Sequence, residues 1–194
     1  MTPQEHASSR WAVASRANVP PFHVMDLLEA ATRRQRTHGD LVNLVAGQPS
    51  TGAPGPVAEE AVRLLRSGDP LGYTPSIGIL ELREAIAGWL GSRFGIAEDR
   101  TDPERHVFPL NGTREGLFAA CLALVPERKD GQRPAVLIPN PFYQVYMVAA
   151  LSVGAEPRFM PATRATGYLP DFTGLDAKTL DRVAVVYLCS PSNP

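Results

Sequence analysis

The hydrophobic positions along the chain fall into two patterns, short continuous apolar runs and longer stripes at helical spacing. Over residues 22–37, Val24, Leu27, Leu28 and Ala31 recur every three or four residues and predict an amphipathic helix. Arg33, Arg34 and Arg36 crowd its last turns, where the helix dipole favours cations. Residues 41–45 predict a short strand. Pro56 suits the first turn of a second helix, whose buried stripe is expected to be Val57, Ala61, Val62 and Leu65. Residues 78–94 predict a third, with Leu82, Ala85, Ile86, Trp89 and Leu90 inward. Residues 106–110 are apolar and short enough for a buried strand. A helix starts near Thr113, with Leu117, Ala120, Cys121 and Leu124 on one face. Residues 135–139 are a continuous apolar strand, as expected for a sheet covered on both faces. A helix over 145–151, a strand over 156–160, a short helix over 175–180 and the strongest strand, 183–189, follow. Residues 1–17, polar and alanine-rich, read as a loosely held arm. Strands alternate with helices and nothing repeats. The fold class predicted is therefore α/β, a mainly parallel sheet with helices on both faces.

Composition narrows this picture. At 194 residues the chain holds one core, or one domain and part of another. Hydrophobic residues at 44% and charged ones at 20% are ordinary for a soluble globular protein. A net charge of -1 leaves no basic footprint for nucleic acid. No stretch approaches a membrane span and no apolar leader opens the chain, so no membrane association and a cytoplasmic location are expected. The two cysteines, Cys121 and Cys189, are expected as buried core thiols rather than a disulfide, and no metal site is expected. Lys129 and Lys178 are the only lysines, against seventeen arginines.

The chemistry concentrates at Asn111-Gly112-Thr113-Arg114-Glu115. A helix N-terminus turns unpaired N–H groups and the positive end of its dipole towards whatever lies before it. Gly112 lets backbone approach a ligand, Thr113 adds a hydroxyl, and Arg114 a planar charged fork suited to phosphate. The same residues also fit an ordinary helix cap. They match neither the dinucleotide nor the Walker glycine spacing. In parallel sheets, ligands lie beyond the strand C-termini. Gly112-Thr113, Asn140 to Tyr143 and Asn193 all follow predicted strands, so they are expected to converge on one crevice. Tyr143 can face an aromatic ring or simply fill the core. Asn193 can donate an amide to a ring oxygen or simply make a turn. Phosphate, planar ring and ring oxygen together describe pyridoxal 5′-phosphate.

From about residue 40 to 194 the chain resembles the class I/II aminotransferases, fold type I pyridoxal-phosphate enzymes. The resemblance rests on Val45-Ala46-Gly47-Gln48-Pro49, Gly72-Tyr73-Thr74-Pro75 with Gly78 and Leu82-Arg83, Asn111 to Glu115, Asn140-Pro141-Phe142-Tyr143, and Ser190-Pro191-Ser192-Asn193-Pro194, in that order. It implies that Gly112, Thr113 and Arg114 form the cofactor's phosphate cup. Tyr143 would stack on the pyridine ring and Asn193 would bind its 3′ oxygen. Tyr73 would reach the cofactor phosphate of a neighbouring subunit, and Gly47 would lie near the substrate carboxylate. Residues 112–194 look most like the N-succinyldiaminopimelate branch, and residues 20–90 like aspartate-type enzymes.

The resemblance also implies the activity, transfer of an amino group from an amino acid to a 2-oxo acid in amino-acid biosynthesis, by a homodimer. Residues 1–40 would be an arm and helix of the small domain, and 41–194 the N-terminal half of the large cofactor-binding domain. The family's Schiff-base lysine follows the Asn-Pro motif, and neither Lys129 nor Lys178 has its context. No catalytic residue is thus expected within the 194 residues, and the chain is expected to be an inactive fragment of a longer parent. The alternatives are another enzyme of the same fold, a lyase or decarboxylase, and a short non-catalytic protein.

Overall fold

A computed structural model describes residues 14–17, 19–20, 23–42, 44, 47, 49, 51–69 and 72–194. It divides into two compact units, one of Met1–Phe22 with Asn111–Pro194 and the other of His23–Leu110. Most of the arm expected over 1–17 lies outside the described residues.

The first unit is built on a three-stranded parallel sheet, β1 (Ala135–Asn140), β2 (Glu156–Pro161) and β3 (Val183–Val186), in the order β2-β1-β3. β1 is central, and its first five residues are buried, as its unbroken apolar run requires. Helices α4 (Thr113–Leu124) and α5 (Gln144–Ser152) pack against each other and on one face of the sheet. That face carries Val136 and Ile138 of β1, which join Cys121, Tyr146, Ala149, Ala150, Ala155 and Tyr187 in the core. On the other face of β1, Ala135 and Leu137 are buried too. A short helix, α6 (Ala177–Arg182), leads into β3, with the Asp176 carboxylate capping it by accepting from the Thr179 N–H at 2.6 Å.

Several polar ties fix the N-terminal ends of the strands. Arg133 donates to the carbonyls of Gly154 and Ala155, each at 2.9 Å, locking the chain before β2. Arg182 donates to Glu156 at 2.7 Å and to the Arg133 carbonyl at 3.1 Å. Lys129, expected in a charged surface loop, is half-buried and donates to the carbonyl of Val183 at the start of β3.

The second unit contains α1 (His23–His38), α2 (Gly55–Arg66) and α3 (Leu80–Phe94). These match the predicted helices because their signals are local, namely apolar period and Pro56 in the first turn of α2; Gly95, in the left-handed conformation, ends α3. Their burial differs from expectation. The stripe of α2 is exposed throughout, and α3 buries Arg83 and Ala87 while Leu82 and Trp89 stay exposed. An amphipathic period says which face is apolar, but a face is buried only where another element covers it.

The strand expected over 106–110 does not form. His106 closes a turn, its N–H donating to the Asp102 carbonyl at 2.8 Å, residues 107–110 join no ladder, and Phe108 and Leu110 are exposed. A strand is completed by a neighbour's hydrogen bonds, and no described segment supplies them. Instead Pro109 lies against Gly78, where an added Cβ would meet the proline ring at 2.8 Å. Arg83 holds the preceding loop through the Pro103 carbonyl at 2.8 Å. The strand expected over 41–45 has Asn43 and Val45 outside the described residues, while Val42 and Leu44 are exposed and not in a strand. The last strand is shorter than its apolar run. It ends at Val186, although the Tyr187 N–H still donates to Leu137 at 3.0 Å. Beyond it Cys189 is exposed rather than buried, its thiol donating to the Pro191 carbonyl at 3.1 Å, whereas Cys121 is buried as expected.

Candidate functional site

The first unit gathers its candidate residues at the C-terminal edge of the sheet. α4 begins at Thr113, and Gly112 before it has φ +116° and ψ 153°, a backbone region essentially reserved for glycine. An added Cβ there would also lie 3.2 Å from a carboxylate oxygen of Glu115. No side chain caps this helix end. Its first N–H groups therefore remain available to an anion, and the ordinary-cap alternative lacks the hydrogen bond it requires.

Tyr143 follows β1 and immediately precedes α5, in extended conformation. Its hydroxyl accepts a hydrogen bond from Arg114 Nε at 3.0 Å. That contact, the leading cause, holds the Arg114 pKa above its ordinary value, so the guanidinium stays charged. The structure thus joins Arg114, next to Gly112 and Thr113 at the head of α4, to Tyr143. With Nε engaged, Arg114 keeps its two terminal nitrogens for another acceptor, since no described residue takes them. Backbone N–H groups, a hydroxyl and a charged planar fork form a donor set that suits a phosphate dianion.

The ring of Tyr143 stands edge-on to Tyr146 (centroids 5.7 Å apart), and Tyr146 stacks on Tyr187 at 4.4 Å. The Tyr187 hydroxyl donates to the Leu117 carbonyl at 2.6 Å, with Cys121 Sγ 3.0 Å away. Burial above all, then the neighbouring Cys189 thiol, pushes the Tyr146 phenol up to about 12. Burial, then Cys121, pushes Tyr187 up as well, and burial raises the Cys121 thiol. Both tyrosines are protonated at neutral pH. Neither was singled out from the sequence, although Tyr146, three residues after Tyr143 on a helix, carried a signal.

Asn193 follows β3 past the same sheet edge, but it is exposed and no hydrogen bond among the described residues links it to Arg114 or Tyr143. Gly47 and Tyr73 belong to the second unit. Tyr73 is fully exposed, and nothing lies within 4 Å of a Cβ added at Gly47. An apolar groove of about 380 Å³ opens along α4 and α5, lined by Arg114, Glu115, Phe118, Gln144, Val145 and Val148, and includes none of Thr113, Tyr143 and Asn193.

Comparison with known proteins carries the geometry to a family. The family model for aminotransferase class I and II matches residues 39–194. Valine–pyruvate aminotransferase of Mycobacterium tuberculosis is 41% identical over 94% of this chain and 44% of its own length. LL-diaminopimelate aminotransferase of Nitratidesulfovibrio vulgaris is 30% identical over 92% of this chain and 44% of its own. Among solved structures, substrate-bound BacF of Bacillus subtilis superposes with a TM-score of 0.80, at 28% identity, over 95% of this chain and 45% of that one. The chain thus spans somewhat under half the length of these relatives. With the parallel sheet, the uncapped head of α4 and the Arg114–Tyr143 contact, these matches make the chain a member of the class I and II aminotransferases.

Proposed function

We propose that these residues form the cofactor cradle of a pyridoxal-phosphate-dependent aminotransferase, which moves an amino group from an amino acid to a 2-oxo acid in amino-acid biosynthesis. The observation that carries this reading is the 3.0 Å bond joining Arg114 to Tyr143 at an uncapped helix head. Family members use pyridoxal 5′-phosphate, and the donor set fits its phosphate. In this reading the N–H groups and hydroxyl at Thr113, the backbone at Gly112 and the Arg114 guanidinium hold the phosphate. Tyr143 lays its ring along the pyridine, with its hydroxyl anchored on Arg114. Asn193 donates its amide to the ring oxygen. Tyr73, fully exposed on its own chain, reaches the phosphate of a partner subunit in a homodimer, and Gly47 leaves room for the substrate carboxylate. Residues 1–40 belong to the small domain and 41–194 to the large one, and the whole enzyme works in the cytoplasm. When bound, the cofactor supplies the electron sink through which the amino group changes carbon skeleton.

Neither lysine takes the covalent role. Lys129 is engaged with Val183 at the N-terminal end of β3, the edge opposite the cradle. Four strand residues separate the two edges, on the order of 13 Å. Lys178 lies in α6, which enters β3 from that same far edge. The purified chain is therefore expected to bind pyridoxal 5′-phosphate weakly and reversibly, with no visible shift on adding an amino acid. Arg114→Ala should weaken binding on the order of tenfold, as loss of a charged hydrogen bond does. Borohydride should fix no cofactor on Lys129 or Lys178. Binding unaffected by Arg114→Ala, or a reduced adduct at either lysine with measurable transamination, would overturn the assignment.

A further inference from the structure

We propose that Tyr187 is a positioning residue for the cofactor cradle, its hydroxyl fixing the first turns of α4 against the end of β3 so that Arg114 meets Tyr143. This rests on the cradle proposed above and adds a residue outside it. The contacts close a ring. Arg114 donates to Tyr143, Tyr143 meets Tyr146 edge-on, Tyr146 stacks on Tyr187, and Tyr187 returns to α4 through the Leu117 carbonyl. Arg114 and Leu117 are three residues apart, so both ends of the ring grip the same turn.

The chemistry at Tyr187 favours position over stability alone. The Leu117 carbonyl already has a place in the helix ladder, with the N–H of Cys121, and does not need the phenol. The Tyr187 hydroxyl has one proton, which goes to Leu117 at 2.6 Å, so the Cys121 thiol donates to the phenol oxygen at 3.0 Å. The phenol is buried and committed to α4 from a residue on β3's own line. It therefore sets where the head of α4 stands relative to the sheet edge. A cradle of N–H groups works only where those groups are aimed, and Arg114 reaches Tyr143 only from that placement.

Tyr187→Phe is the test, because it keeps the stack on Tyr146 and removes only the hydroxyl. The probes are pyridoxal 5′-phosphate, inorganic phosphate and the Arg114 Nε–H resonance in the unliganded chain. We expect the dissociation constant for pyridoxal 5′-phosphate to rise about three- to tenfold, the scale of one neutral hydrogen bond. The Nε–H should exchange faster with water, while the melting temperature changes little. Tyr143→Phe, which opens the ring at its other end, should weaken binding similarly, and the double variant no more than the larger single effect. Cys121→Ala leaves the Tyr187–Leu117 bond in place and should bind as the unaltered chain does. A lower melting temperature with unchanged affinity and unchanged Nε–H exchange would overturn the proposal and leave Tyr187 a packing residue. If Tyr187→Phe does not fold, Tyr146→Leu, which breaks the ring between Tyr143 and Tyr187, is the second variant, and unchanged affinity with unchanged Nε–H exchange there overturns the proposal equally. Failure of the underlying reading looks different. The unaltered chain then binds neither probe, and the Arg114 resonance alone decides whether Tyr187 positions that turn.

Discussion

At Gly112 the backbone occupies a conformation that a side chain resists, and the residue directly precedes the uncapped head of α4. Gly112→Ala should cost about 1–3 kcal/mol of stability through backbone strain, and the new methyl would press on Glu115. Denaturant unfolding measures the loss, and a variant as stable as the parent would mean that the left-handed backbone at Gly112 is not held. The need for a small residue here was legible in the sequence, because glycine between a polar residue and a helix start has few other uses. The partner of Arg114 was not. Arg114 and Tyr143 are twenty-nine residues apart, and their bond exists only because α4 and α5 are packed side by side. Lys129 is the converse case. Its neighbours are charged, and its partner, the Val183 carbonyl, is fifty-four residues away. Local composition therefore describes it as surface when tertiary structure makes it a strand anchor.

Among the elements, β1 and α2 stand at opposite extremes. Ile138 in β1 is 0% exposed, and Ile138→Ala should cost about 2–5 kcal/mol because the cavity cannot fully collapse. Leu65 on the apolar face of α2 is 72% exposed, and Leu65→Ala should stay within about 0.5 kcal/mol. Unfolding of the two variants side by side checks this, and comparable losses would mean that α2 is covered. The sequence distinguished these elements by type but not by burial. A continuous apolar run in a strand implies cover on both faces, whereas an amphipathic stripe only offers a face. The segment over 106–110 failed for a related reason, since strand pairing belongs to two segments and only one is readable at a time. The tie between α5 and β3 has its own signature in pH. Tyr146 and Tyr187 ionise near 10 in an unfolded chain, whereas burial raises both when folded, Tyr146 to about 12. A raised folded pKa means that their stability contribution is full below about pH 10 and is lost as pH rises through the folded values. The melting temperature should therefore fall from about pH 10 upward, and Tyr146→Phe should flatten the fall. A profile indifferent to that substitution would deny Tyr146 its buried, protonated place.

For the molecule as a whole, the two units differ in how their apolar residues are used. The first has a core in which Val136, Ile138, Ala150 and Cys121 are fully buried between sheet and helices. In the second, Val57, Val62, Leu64 and Leu65 of α2, with Leu82 and Trp89 of α3, remain exposed. Apolar surface on that scale is a drive to associate, since each such side chain gains on the order of 1.5–3 kcal/mol when fully covered. The expected result is therefore split. Amide hydrogen exchange should show strong protection across β1 and α5 and weak protection along α2, because local opening there sacrifices few buried contacts. Sedimentation of the purified 194-residue chain should show self-association that grows with concentration, and adding serine or another hydrophilic residue at Val57, Leu64 and Leu65 together should reduce it without touching the protection of β1. Were the chain instead a monodisperse monomer, melting in one cooperative step with α2 as protected as β1, the helices of the second unit would have to be buried in solution, and the association predicted from their exposed faces would be wrong.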